Sequence, residues 1–169
     1  MFGLTSLGIV HTAISLIAVA AGAACLFRDQ EISLRTPLGR VYVATTVLTC
    51  LTSFPIFQHG GFGKPHALGI ITLVVLLIAY VSARTALFGR ASPYVEVVSY
   101  SATFFFHLIP AVTETLTRLP SGSPVFDGPD APGLQTIDGV MFILFIAGAA
   151  AQVRRRMNGN AAALTSRLA

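Results

Sequence analysis

Residues 66–88 read HALGIITLVVLLIAYVSARTALF, an apolar stretch in which Arg84 is the only formally charged residue. A helix needs roughly 20 predominantly apolar residues to cross the hydrocarbon core of a bilayer, which is about 30 Å thick. Apolar runs of this length argue for a membrane span and not for a helix in a soluble core. The stretch therefore predicts a transmembrane helix over residues 66–88.

Outward from this stretch, the chain holds four further segments that are apolar and poor in charge. The segment before it is rich in threonine, but a threonine hydroxyl can bond back to the preceding helical turn, so this composition is tolerated in lipid. No segment keeps the two-residue alternation of a membrane β-barrel. We therefore predict an all-α, integral membrane bundle with five transmembrane helices, over residues 3–27, 39–58, 66–88, 94–116 and 137–153.

Composition agrees with a membrane protein and excludes a conventional soluble domain. Of the 169 residues, 54% are hydrophobic and 11% are charged, whereas soluble domains carry about 25% charged residues. The formal net charge is +4, but the basic residues cluster at the ends of the predicted spans. That placement is typical of topology determinants and not of a surface that binds nucleic acid. The sequence thus predicts the lipid bilayer as a partner, and no nucleic acid.

The distribution of basic residues predicts the orientation of the spans. Of the 11 lysines and arginines, Lys64 and Arg118 fall on one side of the predicted membrane and the remaining nine on the other. Since short loops rich in lysine and arginine stay in the cytoplasm, we expect the amino terminus outside and the carboxyl terminus in the cytoplasm. The prediction is a multi-pass protein of the cytoplasmic (inner) membrane, with a single bundle over residues 1–156 and a short disordered tail over 157–169.

Two histidines, His11 and His107, lie inside predicted spans, while His59 and His66 flank a short outer loop. An ionisable side chain in hydrocarbon is costly and by default marks a functional site. Counted from the outer ends of their spans, His11 and His107 are both about eight or nine residues deep, so we expect the two imidazoles at nearly the same level. The alternative is that each imidazole hydrogen-bonds a neighbouring helix and only specifies packing.

Two imidazoles at one depth on facing helices form the arrangement that bis-histidine ligation of a haem requires. Gly8 stands three residues before His11 on the same helical face, which leaves room for a flat macrocycle. Lys64 or Arg118 is placed to meet the propionates at the outer surface. The leading hypothesis is therefore a redox protein that binds one haem b between His11 and His107.

A second hypothesis assigns a metal ion to the same region. Glu114 lies seven residues after His107, on the same helical face and nearer the exterior. Imidazole suits zinc, iron and copper, and a carboxylate with an open position would permit water activation. His11, His66, His107 and Glu114 are then the candidate ligands of a Zn, Fe or Cu site in a metal-dependent membrane enzyme. Glu114 also stands four residues before Arg118, the order that favours a helical ion pair.

A third hypothesis is a non-catalytic accessory or scaffold subunit, bound to another membrane protein or to copies of itself. Small residues at 18–24 in the first predicted span and at 147–151 in the fifth would allow close approach of a second helix. The outer loop over 119–136 is rich in proline and glycine. A loop of this length is either a connector or an ordered lid over an outward-facing pocket.

The segment Arg35-Thr-Pro-Leu-Gly-Arg-Val-Tyr42 resembles the H-R-x-x-G-R-x-Y element of a large family of uncharacterised bacterial predicted membrane proteins, a domain of unknown function. In that family the element opens a helix after the first span. Gly39, Arg40 and Tyr42 match, whereas Arg35 and Thr36 stand where the family has histidine and arginine. The resemblance extends over about residues 5–120. It implies a multi-span helical bundle and no established activity.

Overall fold

The computed structural model describes residues 5–56 and 61–168, with side chains up to Gly159; His59 lies outside the described residues. The described residues contain no strand, which confirms the predicted all-α helical bundle for this part of the chain. A 3₁₀ turn, Gly89–Ala91, precedes the fourth helix. The five helices are α1 (Ser6–Arg28), α2 (Pro37–Ser53), α3 (Lys64–Arg84), α4 (Ser92–Arg118) and α5 (Pro132–Leu168).

Threonines and a proline mark where the first two helices begin. Thr5 caps α1 by accepting a hydrogen bond from the amide of Gly8 at 3.1 Å. Thr36 caps α2 by accepting one from the amide of Gly39 at 3.0 Å, and Pro37 follows at the first helical position. Proline suits this position because its missing N–H has no partner there in any helix. Each cap stabilises its helix by about 1 kcal/mol.

Each helix packs against the next one in the chain, and α1 also contacts α4. Ion pairs join Arg35 to Glu96 and Arg156 to Glu31, so the loop after α1, the start of α4 and the late part of α5 lie together. We call this the Arg35 end of the bundle. The opposite end, which carries the start of α1 and the end of α2, is called the His11 end.

By length and composition, four helices could cross a membrane: α1, α3, α4 with the 3₁₀ turn before it, and α5. α5 contacts only α4 among the described helices, and only 6% of its apolar stretch is buried. α2, with 17 residues, is shorter. Large hydrophobic side chains that are more than half exposed cover the outside of the membrane-length helices, among them Leu16, Ile17, Leu77, Ile143 and Leu144.

The small-residue face of α1 is used inside the bundle. Ala18 and Ala21 are buried, and a Cβ added to Gly22 would lie 2.5 Å from the ring of Phe104 on α4. A larger residue at position 22 would force α1 and α4 apart. The buried part of the surface at 18–24 is therefore occupied by the chain's own packing, whereas Ala20 and Ala24 are exposed.

The second and third helices end before the predicted spans do. α2 ends at Ser53 and not at 58, because Pro55 has no N–H to continue the helical hydrogen bonds. α3 ends at Arg84 and not at 88, because Thr85 is extended and Gly89 turns the chain with a φ of 54°.

The fifth helix also differs from its predicted bounds. α5 begins at Pro132 and continues to Leu168, so the structure assigns helix to the tail that the sequence predicts to be disordered. The tail sequence holds three consecutive alanines at 161–163. Alanine has the highest intrinsic helix propensity, which accounts for helix in a segment that is otherwise small and polar.

Candidate functional site at the His11 end

Threonines of α2 are the common partners of the two histidines predicted to lie in the membrane. The Oγ1 of Thr52 donates a hydrogen bond to the carbonyl of Leu48 at 2.8 Å. Thr49 does the same to the carbonyl of Thr45, also at 2.8 Å. Such back-bonding leaves the oxygen able to accept hydrogen bonds from other helices. α2 thus presents hydroxyl groups to α1.

His11 on α1 bonds to one of these hydroxyl groups. Its Nδ1 lies 3.0 Å from the Oγ1 of Thr52. The tautomer of His11 sets the direction of this bond, because either the ring nitrogen or the hydroxyl can be the donor. The backbone carbonyl of Thr49 also interacts with the partly buried ring, and a carbonyl can only accept. In the neutral tautomer that carries its hydrogen on Nδ1, the Nε2 of His11 has a lone pair.

His107 on α4 also bonds to α2, at Thr46, which stands six residues before Thr52. Its Nε2 lies 3.1 Å from the Oγ1 of Thr46, which is fully buried, and His107 is 7% exposed. The imidazole also packs edge-on against the ring of Tyr42, with the centroids 6.2 Å apart. His107 is therefore held between two side chains of α2 in the interior of the bundle.

Tyr42 extends this polar contact between α2 and α4. Its hydroxyl lies 2.8 Å from the Oγ1 of Thr103, which itself donates to the carbonyl of Tyr100 at 2.8 Å. Either hydroxyl can be the donor in the bond between Tyr42 and Thr103. The hydroxyl of Thr46 also contacts that of Tyr42. The buried hydroxyls and His107 form one connected network, which is the arrangement that a water-free interior requires.

The two histidines stand at different distances from the nearest ends of their helices. His11 is five residues from the start of α1, and His107 is eleven residues from the end of α4. At 1.5 Å per residue these two distances differ by about 9 Å, the same offset as that between their partners Thr52 and Thr46. The expectation that both imidazoles lie at one level of the membrane stays a prediction. The rings are still near enough to interact electrostatically.

The other two predicted ligands have separate partners. The Nδ1 of His66 accepts a hydrogen bond from the amide of Gly63 at 3.3 Å, so this side chain turns back to cap α3. Its ring also packs against Phe62, with centroids 5.4 Å apart. Glu114 forms the ion pair with Arg118 that the sequence offered as an alternative.

The four-residue metal site is not assembled in the described part of the chain. Among residues 5–56 and 61–168, no group of three or more histidine, cysteine, aspartate or glutamate side chains is arranged to hold a metal ion. The reason is the set of contacts above: His11 and His107 turn to α2, His66 caps its own helix, and Glu114 pairs with Arg118. The hypothesis of a Zn, Fe or Cu site at these residues stays a prediction that the described geometry does not support.

The sequence missed a second polar cluster, at the Arg35 end. Glu96 on α4 is 3% exposed and accepts hydrogen bonds from both terminal nitrogens of Arg35, at 3.1 and 3.2 Å. A carboxylate in the first turns of an apolar span was the available signal, because such a group needs a cationic partner. The partner stands 61 residues earlier in the chain, in the loop predicted to lie on the same side of the membrane.

Comparisons with protein-family models, with curated proteins and with solved structures found no match to this chain. The resemblance carried by Gly39, Arg40 and Tyr42 therefore stays a prediction. Function has to be argued from the side chains described above.

Proposed function

We propose that this chain is a multi-pass protein of the cytoplasmic membrane, with α1 to α5 as five spans and the amino terminus outside. Four membrane-length helices support this. Arg155 hydrogen-bonds Gln30, and Arg156 pairs with Glu31, so the basic part of α5 lies beside the loop that follows α1. The basic residues thus gather at the Arg35 end, and the positive-inside rule makes that end cytoplasmic.

We further propose that the protein is a non-catalytic accessory or scaffold subunit, in which the membrane histidines hold helices together. The observation that carries this is that His11 and His107 each bond to a threonine of α2. Interhelical hydrogen bonds in membranes stabilise packing by about 0.6 kcal/mol on average and by up to about 1.7 kcal/mol. Such bonds also account for two imidazoles in hydrocarbon without a cofactor.

The outward face of α5 supports a partner. Val140 and Ile143 are 52% and 67% exposed, and Ala147 and Ala150 are exposed as well. These positions repeat at intervals of three and four residues, so they form one stripe along the helix. Leu134 and Ala149, which are buried, lie on the opposite side. The small residues of the stripe would admit a second transmembrane helix at close range.

The test places a photo-crosslinking residue at position 143 of the full-length protein in its native membrane. We expect one discrete crosslinked species, either a partner subunit or a second copy. Ala147→Leu should abolish it, because the larger side chain blocks the stripe. Ala13→Leu is the matched control, since Ala13 is an exposed alanine on α1. No discrete species, or equal loss in both variants, would contradict a subunit role that depends on α5.

Haem b is a second candidate, favoured by the lone pair on the Nε2 of His11 in the tautomer that donates from Nδ1. A haem needs only two axial ligands from the protein. That the described residues contain no group of three metal-ligating side chains is therefore no argument against haem. Redox chemistry would come from the haem itself. Binding would require His107 to release Thr46 or to offer its Nδ1, which bonds to no described residue. It would also require α1 and α4 to separate around the macrocycle.

The absorption spectrum of protein purified gently from its native membrane separates the two candidates. A Soret band that disappears in both His11→Ala and His107→Ala would replace the packing role with haem binding. A colourless protein, in which both substitutions lower only the stability, would support the packing role.

A further inference from the structure

A cavity of about 410 Å³ opens at the Arg35 end, between the end of α3 and the start of α4. Small-molecule sites range over about 300–1,000 Å³, so the volume suits a ligand. Three arginines and one carboxylate are among its lining residues: Arg35, Arg84, Arg156 and Glu96. Their formal charge is positive, which favours an anion.

Two of the three arginines are already paired with carboxylates. Arg35 binds both oxygens of Glu96, and Arg156 binds both oxygens of Glu31, at 3.1 and 2.9 Å. These bidentate pairs hold both guanidinium groups at the cavity wall. They leave one arginine whose charge is not matched by a neighbouring carboxylate.

That residue is Arg84, at the last position of α3. Its guanidinium lies over the ring of Tyr80, with the central carbon 5.4 Å from the ring centroid. It makes no hydrogen bond or ion pair to the described residues. A cation–π contact orients the group without using its N–H donors. Five donors in a planar fork are thus free beside the cavity, and this geometry matches the oxygens of a phosphate.

A buried hydroxyl next to this cluster also has no hydrogen-bond partner among the described residues. Tyr100 is fully buried, and its hydroxyl is unsatisfied. It interacts electrostatically with Arg35, Arg84 and Glu96. Buried polar atoms are rarely left without a partner in folded proteins. The hydroxyl is thus an unusual polar group in the hydrophobic core, near the charged residues of the cavity wall.

We propose that this cavity binds a phosphate group, with Arg84 as its principal ligand. The phosphate belongs either to an anionic lipid of the adjoining leaflet or to a soluble compound. The cavity lies at the end of α3 and the start of α4, which is the level at which lipid headgroups lie beside transmembrane helices. Basic pockets between such helices bind anionic headgroups. The site is independent of the role of the His11 end.

The test compares Arg84→Gln with Arg90→Gln in the full-length protein. Arg90 is exposed at the same end, three residues before Pro93, and does not line the cavity. General attraction of anions to a basic surface would fall equally in both variants. Loss of a ligand from a built site should weaken phosphate binding at least about tenfold in Arg84→Gln alone, the factor for one charge-assisted contact. Ala86→Phe fills the cavity without removing charge and should act like Arg84→Gln.

Two probes distinguish the sources of the phosphate. Native mass spectrometry after reconstitution in mixed phosphatidylcholine and phosphatidylglycerol measures the lipid that the protein retains. Calorimetric titration with inorganic phosphate, in discs of phosphatidylcholine alone, measures binding of a soluble anion. Selective phosphatidylglycerol retention assigns the site to a lipid, and saturable binding of inorganic phosphate assigns it to a soluble compound. Absence of both, or equal loss in Arg84→Gln and Arg90→Gln, would overturn the proposal.

Discussion

At the residue scale, the tautomer of His11 determines which of its ring nitrogens can act as a ligand. Thr52 bonds both to its own helix and to the Nδ1 of His11, and the tautomer that donates from Nδ1 keeps a lone pair on Nε2. The sequence locates the histidine within a span, but it does not determine which ring nitrogen carries the proton. The position of the proton depends on the contact with Thr52, 41 residues away in the chain. Hydropathy does not predict which face of α1 turns toward this threonine.

Thr46→Val tests whether the buried histidine depends on its bond to α2. Thr46 is fully buried, and valine keeps its shape while leaving the Nε2 of His107 without a partner. We expect a loss of about 1–2 kcal/mol in the free energy of unfolding, measured by denaturant titration in mixed micelles. Thr45→Val is the control, because its hydroxyl bonds only to carbonyls of its own helix. Equal effects of the two substitutions would show that the interhelical bond contributes nothing.

At the element scale, hydropathy locates a helix well where the apolar stretch and the helix end at the same charged residue. Arg28 and Arg118 close α1 and α4, and the predicted limits lie within three residues of the observed ones. The prediction fails where the end depends on local geometry. Residues 85–88 remain apolar, yet the extended backbone at Thr85 stops α3 at Arg84. The candidate site shows the same limit of hydropathy. The two histidines can be identified from the sequence, but their partners on α2 cannot, because the partners depend on how the helices are rotated.

The ion pair between Arg35 and Glu96 ties the loop after α1 to the start of α4. Arg35→Gln leaves a nearly buried carboxylate without its cation, so we expect a loss of about 2 kcal/mol in unfolding free energy. The loss is below the 3–5 kcal/mol typical of a fully buried pair, because the Arg35 side chain is 61% exposed and solvent screens it. Micelle unfolding measurements check this.

Two further variants separate pairing from a general effect of charge at this end. Arg28→Gln removes a surface ion pair with Asp29 and should change stability by less than about 1 kcal/mol. Adding Glu96→Gln to Arg35→Gln should recover much of the lost stability, since no charge then remains buried. A double variant no more stable than Arg35→Gln alone would mean that the contact acts through packing and not through charge.

At the scale of the whole molecule, the number of spans depends on α2. Its 17 residues reach about 25 Å, less than the roughly 30 Å of a hydrocarbon core. Its threonines nevertheless bond to α1 and α4, so α2 lies between helices of membrane length. A short helix in that position crosses the membrane if the bilayer thins locally or if flanking residues complete the span.

The side of each terminus distinguishes five spans from four. We expect a reporter fused to the amino terminus to be active outside the cell and one at the carboxyl terminus to be active in the cytoplasm, because nine of the 11 basic residues fall on one side of five alternating spans. Ser123→Cys, in the loop between α4 and α5, should react with a membrane-impermeant reagent in intact cells. If α2 does not cross, the four remaining spans place both termini on the same side. Two cytoplasmic termini, together with labelling of the Ser123→Cys variant from outside, would therefore remove α2 from the spans and leave the other four in place.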